Sequence, residues 1–461
     1  MNIVVALIVI SLVAWAIIKN IKPQTVLVFG GLILMIFSYL FGYKTGFVPA
    51  NQSTGLPFFD MFVYIKRTMA SDIAGLGLTI MVGAGFAKYM DYIGASSRMV
   101  EVAMQPLKKL NAPYIVNAAG FTVCMIMSLA IQSASALSML TMVTVFPILI
   151  NLGVSRVAAA SVVATGHLLD IGPAAATSLV VVKVADVGIN KFFVEYQLPV
   201  YFIACVIVTI VHYFWQKHLD KKEGLYGLEN NTTVEVDISK SKGEELNPPG
   251  PNVYMILPAL PLILILTFSE YGLKGYKMDI ITAMLISFTT AMLFELVRYH
   301  DYVKVAGSIQ KFFAGMGQMF AVTVTLVTAA QVFAYGITCT GFVDALIKGT
   351  QNMGLSVNMI TMGICALIIA ISVVTGSGVA AMYSFAPIIP PFAAGIGANT
   401  LTILQAMQNA ASLGRLVSPV AAVIIIVAGI AGVSPMALVK RNSLPIAVAI
   451  VVTMTSVLVM F

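Results

Sequence analysis

Apolar residues run through this chain in long blocks, and polar or charged residues are confined mainly to the short stretches between them. Ten of the blocks are 16 to 32 residues long, and we assign each of them one membrane-crossing helix, which needs about 20 residues. They cover residues 3–18, 25–41, 73–90, 156–182, 198–215, 253–268, 280–297, 316–337, 399–430 and 445–461. The pattern therefore predicts an all-α polytopic membrane protein with about ten spanning helices.

Two further apolar stretches, residues 113–150 and 355–394, are too long for one helix and too poor in loop residues for two ordinary spans. Each has a small polar cluster at its centre. The polar residues of the two clusters are Gln132, Ser133 and Ser135 in the first and Thr375, Gly376 and Ser377 in the second. We interpret both stretches as re-entrant hairpins that enter and leave the membrane on the same side, with these residues at their tips.

The two halves of the chain repeat each other. An offset of 243 residues places the second tip on the first, and an offset of 246 places Pro419 on Pro173. In the predicted topology, the corresponding spans 156–182 and 399–430 run in opposite directions. Inverted repeats of this kind are typical of secondary transporters built for alternating access. The hydrophilic stretch 216–251, which has mixed charge and ends in a Pro-Pro-Gly-Pro sequence, is predicted to be a cytoplasmic linker between the halves.

The span that follows each hairpin is predicted to be broken. Gly166 and Pro173 interrupt the first span, and Gly414 and Pro419 interrupt the second, because proline removes a backbone donor and glycine tolerates non-helical dihedral angles. Unwound backbone within a membrane is tolerated only where it is buried in protein or lines a cavity. We therefore expect the two tips and the two breaks to meet near the midplane, where helix N-termini offer free N–H groups suited to a carboxylate.

Composition excludes several classes of protein. With 59% hydrophobic residues, 10% charged residues and a mean hydropathy of +0.96, the chain is neither an ordinary soluble enzyme nor a disordered protein nor a nucleic-acid binder. If the loop with Lys19 and Lys22 is cytoplasmic, 17 of the 26 basic residues lie on that side. This bias predicts that both termini are periplasmic, and it makes the net charge of +7 a topology signal.

Arg415 is the one basic residue predicted to lie far from an interface. An arginine at that depth needs an anionic partner, and its planar fork matches a carboxylate of a substrate. The alternatives are a structural ion pair and a side chain that snorkels to water. Asp170 aligns beside Arg415 in the repeat, so a pair across the pseudo-symmetry axis is expected. Asp170 and His167 are candidate proton carriers, although a static pair with Arg415 is the competing interpretation.

Two amide and hydroxyl residues of the second break, Asn409 and Ser412, complete the predicted polar set. The four cysteines lie in or beside apolar runs at unrelated spacings, so we expect neither disulfides nor a metal site. The sequence contains no paired catalytic carboxylates and neither a HExxH nor a GxSxG motif. We therefore predict a protein that is not an enzyme and that has no cofactor beyond a proton or sodium ion as coupling ion.

The tips and the second break also carry a family resemblance. The stretches concerned are 127–135, 374–378, 408–419 and 214–223, and the correspondence covers nearly the whole chain in length and order. In these stretches the sequence resembles the Dcu C family of anaerobic four-carbon dicarboxylate carriers, within the ion transporter superfamily. That superfamily has Ser-Asn-Thr motifs at its hairpin tips, and the asparagine is absent from both tips of this chain.

The resemblance implies a carrier that moves succinate, fumarate or related dicarboxylates, by exchange or with protons, in the inner membrane of a bacterium. It also implies a homodimer in which a mobile transport domain slides past a scaffold, the elevator mechanism. Residues 1–112 and 252–354 are then scaffold helices, each set ending in an amphipathic arm, and residues 113–215 and 355–461 form the transport domain. Two alternatives remain open, a sodium/proton antiporter with Asp170 as its ion site and an ion channel.

Overall fold

The computed structural model is all-helical. It describes residues 2–19, 21–109, 112–225, 247–273, 275–276 and 278–461, and no β-strand occurs among them. The helices of the first half are α1 Asn2–Ile18, α2 Pro23–Leu40, α3 Pro57–Tyr92, α4 Ala95–Met104, α5 Pro113–Ser128, α6 Ala134–Asn151, α7 Arg156–Thr165, α8 Ala176–Ala185 and α9 Ile189–Lys222.

The second half contains the same order of elements. Its helices are α10 Asn252–Thr267, α11 Ile280–Tyr299, α12 Tyr302–Cys339, α13 Phe342–Asn352, α14 Val357–Thr375, α15 Gly378–Ile396, α16 Thr400–Arg415, α17 Ala422–Ala431 and α18 Pro435–Met460. Within the described ranges, nine helices are long and apolar enough to cross a membrane. Large apolar side chains such as Leu7, Phe29 and Val451 are exposed on the outer faces. A polytopic membrane fold accounts for both observations, as the sequence predicted.

Two helices are much longer than the hydropathy pattern predicted. Helix α3 has 36 residues and α12 has 38, whereas we placed their starts at residues 73 and 316. The added turns contain charged residues, including Lys66, Arg67 and Lys304, which lower the hydropathy without breaking the helix. At 1.5 Å per residue, α3 is about 54 Å long, so it exceeds the ~30 Å hydrocarbon core of a bilayer.

The long helices demonstrate the inverted repeat. Each contains a π-helical segment, Ile73–Gly77 in α3 and Phe320–Val324 in α12, and the two segments pack against each other. The N-terminal part of α3 packs against the C-terminal part of α12, and the C-terminal part of α3 packs against the N-terminal part of α12. Equivalent helices of the two halves therefore cross in antiparallel directions.

The amphipathic arms occupy equivalent positions in the two repeats. Arm α4 follows α3 after Gly94, and arm α13 follows α12 after Gly341. Both glycines have left-handed φ angles, 72° and 71°, a conformation that side-chain-bearing residues rarely adopt. The chain therefore reverses sharply at the end of each long helix, and this is where the sequence predicted the arms.

Hairpins and broken helices follow the arms in both halves. Helices α5 and α6 form the first hairpin, α14 and α15 form the second, and residues 166–175 and 416–421 are non-helical breaks. Gly166 caps the end of α7, and Pro173 and Pro419 lie within the breaks. Gly414 is a correction: it lies inside α16, which ends one residue later.

Close packing explains the glycine at 414. A β-carbon there would stand 2.7 Å from the β-carbon of Ser372 on α14, so glycine lets the two helices approach closely. Close approach of this kind is typical of small residues in membrane proteins. The linker is corrected as well. Residues 216–222 continue helix α9, because the polar sequence there is still compatible with a helix. Residues 226–246 of the predicted linker lie outside the described part of the chain.

The tip of the second hairpin depends on Gly378. A β-carbon at this position would lie 1.9 Å from the carbonyl oxygen of Ala411 in α16. We expect Gly378→Ala to destabilise the protein by about 1–3 kcal/mol, because the clash involves backbone and cannot be relieved by a rotamer change. Thermal unfolding in detergent measures the effect. Gly429→Ala is the matched control, since its β-carbon meets nothing within 4 Å; equal losses in both variants would contradict the packing explanation.

Candidate functional site

A cavity of about 240 Å³ lies where the hairpins and breaks meet the long helices. Helices α3 and α12 form one wall, and the first hairpin tip, the first break with the start of α8, α15 and the C-terminal end of α16 form the other. Its polar and charged lining residues are Lys88, Asp91, Gln132, Ser133, Asp170, Thr177, Gln318, Thr323, Tyr383 and Arg415. This volume lies below the roughly 300–1,000 Å³ of pockets for drug-sized ligands, so it suits a small solute.

Arg415 and Asp170 form an ion pair in this cavity. The guanidinium Nη1 donates to Asp170 Oδ2 at 3.2 Å, and the exposed fractions of the two side chains are 13% and 14%. Arg415 comes from the last turn of α16 and Asp170 from the first break. The repeat alignment placed these residues side by side, and the structure brings them together across the pseudo-symmetry axis.

His167 completes a triad with this pair. Its Nδ1 atom lies 3.1 Å from Arg415 Nη2 and 3.6 Å from Asp170 Oδ1, and its ring is buried. A guanidinium can only donate, so the contact with Arg415 assigns Nδ1 as the acceptor of a neutral ring that carries its proton on Nε2. A protonated imidazole in this position would repel Arg415. The geometry therefore makes His167 a neutral support for the arginine.

Side chains from both repeats hold the break around Asp170. The Asp170 N–H donates to Ser412 Oγ at 3.1 Å, and its carbonyl accepts from Gln408 Nε2 at 2.6 Å and from Thr177 Oγ1 at 3.0 Å. Gln197 Nε2 in turn donates to Gln408 Oε1 at 3.1 Å. This network satisfies the unwound backbone and fixes the acid relative to α16, as buried polar groups require.

Several polar atoms around the cavity have no hydrogen-bond partner within the described parts of the chain. They are Arg415 Nε, Gln132 Oε1 and the hydroxyl of Tyr383. Leaving a buried polar group without a partner costs about 1–3 kcal/mol. Two of the three groups are donors, and both belong to residues that line the cavity. The site therefore has donor capacity for an anionic ligand in addition to the pair with Asp170.

The predicted tip residues separate into two groups. Gln132 and Ser133 of the first tip line the cavity, whereas Ser135 does not. None of the second-tip residues lines it. The Thr375 hydroxyl donates to the carbonyl of Ile371 and accepts from Ser377 N–H; these bonds close the end of the helix locally. Gly376 has a φ of 72° and turns the chain between α14 and α15.

Asn409 is buried nearly two turns before Arg415, and its Nδ2 atom has no partner within the part of the chain that the structure describes. It does not line the cavity, and neither do Ser412 and His167. The Ser412 hydroxyl accepts from the backbone N–H of Asp170, and His167 Nδ1 contacts Arg415. Ser412 and His167 therefore support the ion pair from the protein side.

Sequence reasoning missed several residues of the site. Gln408 directly precedes Asn409 in α16, the helix before the second break, and its position one turn before Ser412 was an available signal. Tyr383 aligns with Leu140 at the offset of 243, so the repeat comparison could not single it out. Lys88 and Asp91 lie at the end of an apolar run, where we had assigned Lys88 to topology.

Lys88 and Asp91, which we call the rim of the cavity, line it near the C-terminal end of α3. The described end of the linker is adjacent, because Asn247 donates to the Asp91 carbonyl at 3.5 Å. Near the middle of α3, just before its π-helical segment, Asp72 accepts from Lys183 Nζ at 2.6 Å and also from Thr328 and Gln331. Asp72 is 1% exposed. An ion-paired contact therefore joins α3, α8 and α12 at this level.

The fold and the site together define a class of protein. Two inverted repeats, paired hairpins and broken helices that enclose a charged cavity form the architecture of a secondary transporter. The family model described as “DcuC: C4-dicarboxylate anaerobic carrier” matches residues 1–461. The chain belongs to this family of C4-dicarboxylate anaerobic carriers, as the sequence resemblance predicted, and it is a multi-pass membrane transporter, not an enzyme.

Relatives support the assignment over the full length. The anaerobic C4-dicarboxylate transporter DcuC of Escherichia coli strain K12 is 35% identical over 456 residues, which are 99% of this chain and 96% of that protein. The probable anaerobic C4-dicarboxylate transporter DcuC of Vibrio cholerae is 32% identical over 463 residues, which are 100% of this chain and 98% of that protein.

Solved structures share the fold. The YdaH transporter of Alcanivorax borkumensis superposes with a TM-score of 0.68 at 15% identity, covering 95% of this chain and 98% of that one. MtrF of Neisseria gonorrhoeae, described as illuminating a class of antimetabolite efflux pumps, gives a TM-score of 0.61 at 13% identity and covers 94% of each chain. At these identities the comparison establishes the common helical architecture.

Proposed function

We propose that this protein is a secondary active transporter of four-carbon dicarboxylates of the succinate and fumarate class, with Arg415 as its principal anion-binding residue. The observation that carries the proposal is the guanidinium of Arg415 in the wall of a small cavity, at the end of the helix that precedes the second break, with no partner for its buried Nε in the described part of the chain. A guanidinium binds a carboxylate in a fork geometry that suits this position. Family membership supports the substrate class.

The charges of the cavity favour coupling to a proton. Lys88, Asp91, Asp170 and Arg415 balance one another in the empty cavity, so a dianion brings two uncompensated negative charges. Protonation of Asp170 removes one negative charge and releases Arg415 from its pair. Asp170 is the better candidate for the coupling acid than His167, because the ring of His167 must stay neutral to accept from Arg415. Exchange of two dicarboxylates bypasses this step, because the transporter then carries a dicarboxylate in each direction. Arg415 is therefore paired with a substrate carboxylate on both the forward and the return movement.

The predicted division into domains suits an elevator mechanism. Asp72 belongs to the proposed scaffold, and Lys183 belongs to the proposed transport domain, so their ion pair crosses the boundary. In this proposal the pair joins the two domains and separates when the transport domain moves past the scaffold of a homodimer. With the linker in the cytoplasm and both termini in the periplasm of a bacterial inner membrane, the cavity faces inward.

Transport assays in proteoliposomes test the proposal. We expect saturable uptake of radiolabelled succinate that internal fumarate accelerates and an inward proton gradient drives, with no response to a sodium gradient imposed separately. Proteoliposomes without protein provide the blank. Cation exchange without succinate flux would favour the sodium/proton antiporter, and a flux that does not saturate with substrate would favour a channel. Either result would refute the proposed function.

A further inference from the structure

Tyr383 stands between two cavities. It lines the cavity that holds Arg415 and also a second cavity of about 230 Å³, whose lining includes Lys183, Gln331 and Pro390. The second cavity lies beside the Asp72–Lys183 pair, since Lys183 is part of its lining. Helix α15 runs from one cavity to the other, with Val379 in the first. The ring of Tyr383 is therefore part of the barrier between the two compartments.

The hydroxyl of Tyr383 is the unusual feature of this barrier. Tyr383 is 1% exposed, and its Oη atom has no hydrogen-bond partner in the described part of the chain. Buried tyrosine hydroxyls usually have partners; that of Tyr335, for example, donates to the carbonyl of Phe47 at 3.0 Å. A phenylalanine would fill the same space without an unpaired donor. A ligand in the adjacent cavity that accepts a hydrogen bond from the Tyr383 hydroxyl would explain why this position is a tyrosine.

A four-carbon dicarboxylate supplies the missing acceptor. Such a molecule has a carboxylate at each end, and Arg415 can hold only one of them in its fork. Lys88 is the other cation of the first cavity, and it belongs to the rim beside Asp91. Tyr383 is a neutral donor deeper in the site. A hydrogen bond from its hydroxyl to a carboxylate is of the stronger, charge-assisted kind.

We propose that Tyr383 is a substrate-contacting, specificity-determining residue that donates a hydrogen bond to the carboxylate not held by Arg415, while its ring closes the occupied cavity against the second one. The inference rests on the proposed function of dicarboxylate transport. It explains how one site distinguishes a molecule with two carboxylates from a monocarboxylate of equal length. A monocarboxylate bound through Arg415 presents a methyl group to Tyr383 and leaves the hydroxyl unpaired.

Tyr383→Phe tests the contact because it removes the hydroxyl and retains the ring. We expect the KM for succinate uptake in proteoliposomes to rise about tenfold, the effect of one lost charge-assisted hydrogen bond, with a maximal rate close to that of the wild type. Butyrate, which has the same chain length and one carboxylate, is the second probe. Its inhibition constant against labelled succinate should be equal in wild type and Tyr383→Phe, because it never contacts the hydroxyl.

Tyr335→Phe is the matched control, since it removes a tyrosine hydroxyl outside the cavity, and its KM for succinate should equal the wild-type value. An unchanged KM in Tyr383→Phe, or equal shifts for succinate and butyrate, would overturn the inference. The proposed function would still stand in that case, because it rests on succinate uptake by the wild type. Absence of saturable wild-type uptake would overturn both.

Tyr383→Ala also removes the ring and tests separately whether the ring is a barrier between the two cavities. Succinate should then leak down its gradient without saturation. A tight, saturable Tyr383→Ala transporter would contradict the role of the ring as a barrier.

Discussion

Replacing Arg415 with alanine is expected to reduce succinate uptake by at least about a hundredfold and to abolish measurable substrate binding. In the proposed site, the guanidinium is the principal hydrogen-bond donor to the substrate anion. Loss of one partner of a desolvated charge pair costs roughly 2–5 kcal/mol in binding. Radiolabelled uptake and isothermal titration in detergent measure the two effects. Arg67→Ala is the matched control, because this arginine is exposed and lies outside the cavity; it should transport normally.

Arg415→Ala also leaves Asp170 without its cation, and an uncompensated buried charge destabilises a protein by about 3–5 kcal/mol. The double variant Arg415→Ala, Asp170→Asn removes both charges and so separates folding from binding. We expect it to fold with near wild-type thermal stability and still to bind no succinate. Arg415→Lys keeps the charge without the fork and should retain a small fraction of the uptake. Substantial succinate affinity in the double variant would show that the anion site lies elsewhere.

The fold could be predicted from the sequence where the repeat and the local chemistry agree. Proline at equivalent positions located both breaks. The alignment of the two halves also predicted from the sequence that Asp170 lies beside Arg415. The starts of α3 and α12 could not be found in this way, because hydropathy cannot distinguish a polar helical turn from a loop. Asp72 illustrates the reason: its carboxylate is satisfied by residues more than 100 positions away, so only the tertiary fold makes it compatible with a buried helix.

The site shows a different limit. Repeat symmetry treats both hairpin tips as equivalent, yet only the first contributes side chains to the cavity, and Thr375 closes its own helix end instead. The cavity is asymmetric because the two repeats occupy different positions relative to the long helices in one conformation. Tyr383 has an apolar counterpart, Leu140, in the other repeat. Residues that break the symmetry are therefore invisible to the comparison of the halves, even where they line the cavity.

Two ion pairs occupy different levels of the proposed transport pathway. Asp170 and Arg415 form a pair in the cavity, and Asp72 and Lys183 form one near the middle of α3. The first pair lies within the proposed transport domain, so it can move with the substrate. The second joins the domain to the scaffold, so it must separate when the domain moves. In the proposed mechanism, substrate binding and domain movement therefore involve different charges.

Replacing Asp170 with asparagine should make uptake insensitive to pH. In the proposed mechanism, a proton on Asp170 releases Arg415, so the initial rate of succinate uptake by the wild type should rise as the external pH falls. Asparagine resembles the protonated acid at every pH, and we expect a rate at high pH at or above the wild-type value. Acceleration by a proton gradient should be lost, while succinate/fumarate exchange persists because it needs no empty return. Uptake at a series of pH values, with and without internal fumarate, measures both.

The control for this prediction is Asp344→Asn, which neutralises an exposed acid on the arm α13, away from the cavity. Protonation of succinate itself is the same for every variant, so a difference between the two profiles belongs to the protein. A wild-type pH profile in Asp170→Asn would reduce the Asp170–Arg415 contact to a static pair. Loss of exchange together with proton-driven uptake would instead give Asp170 a role in binding the substrate, since exchange requires only that Arg415 passes from one dicarboxylate to the next.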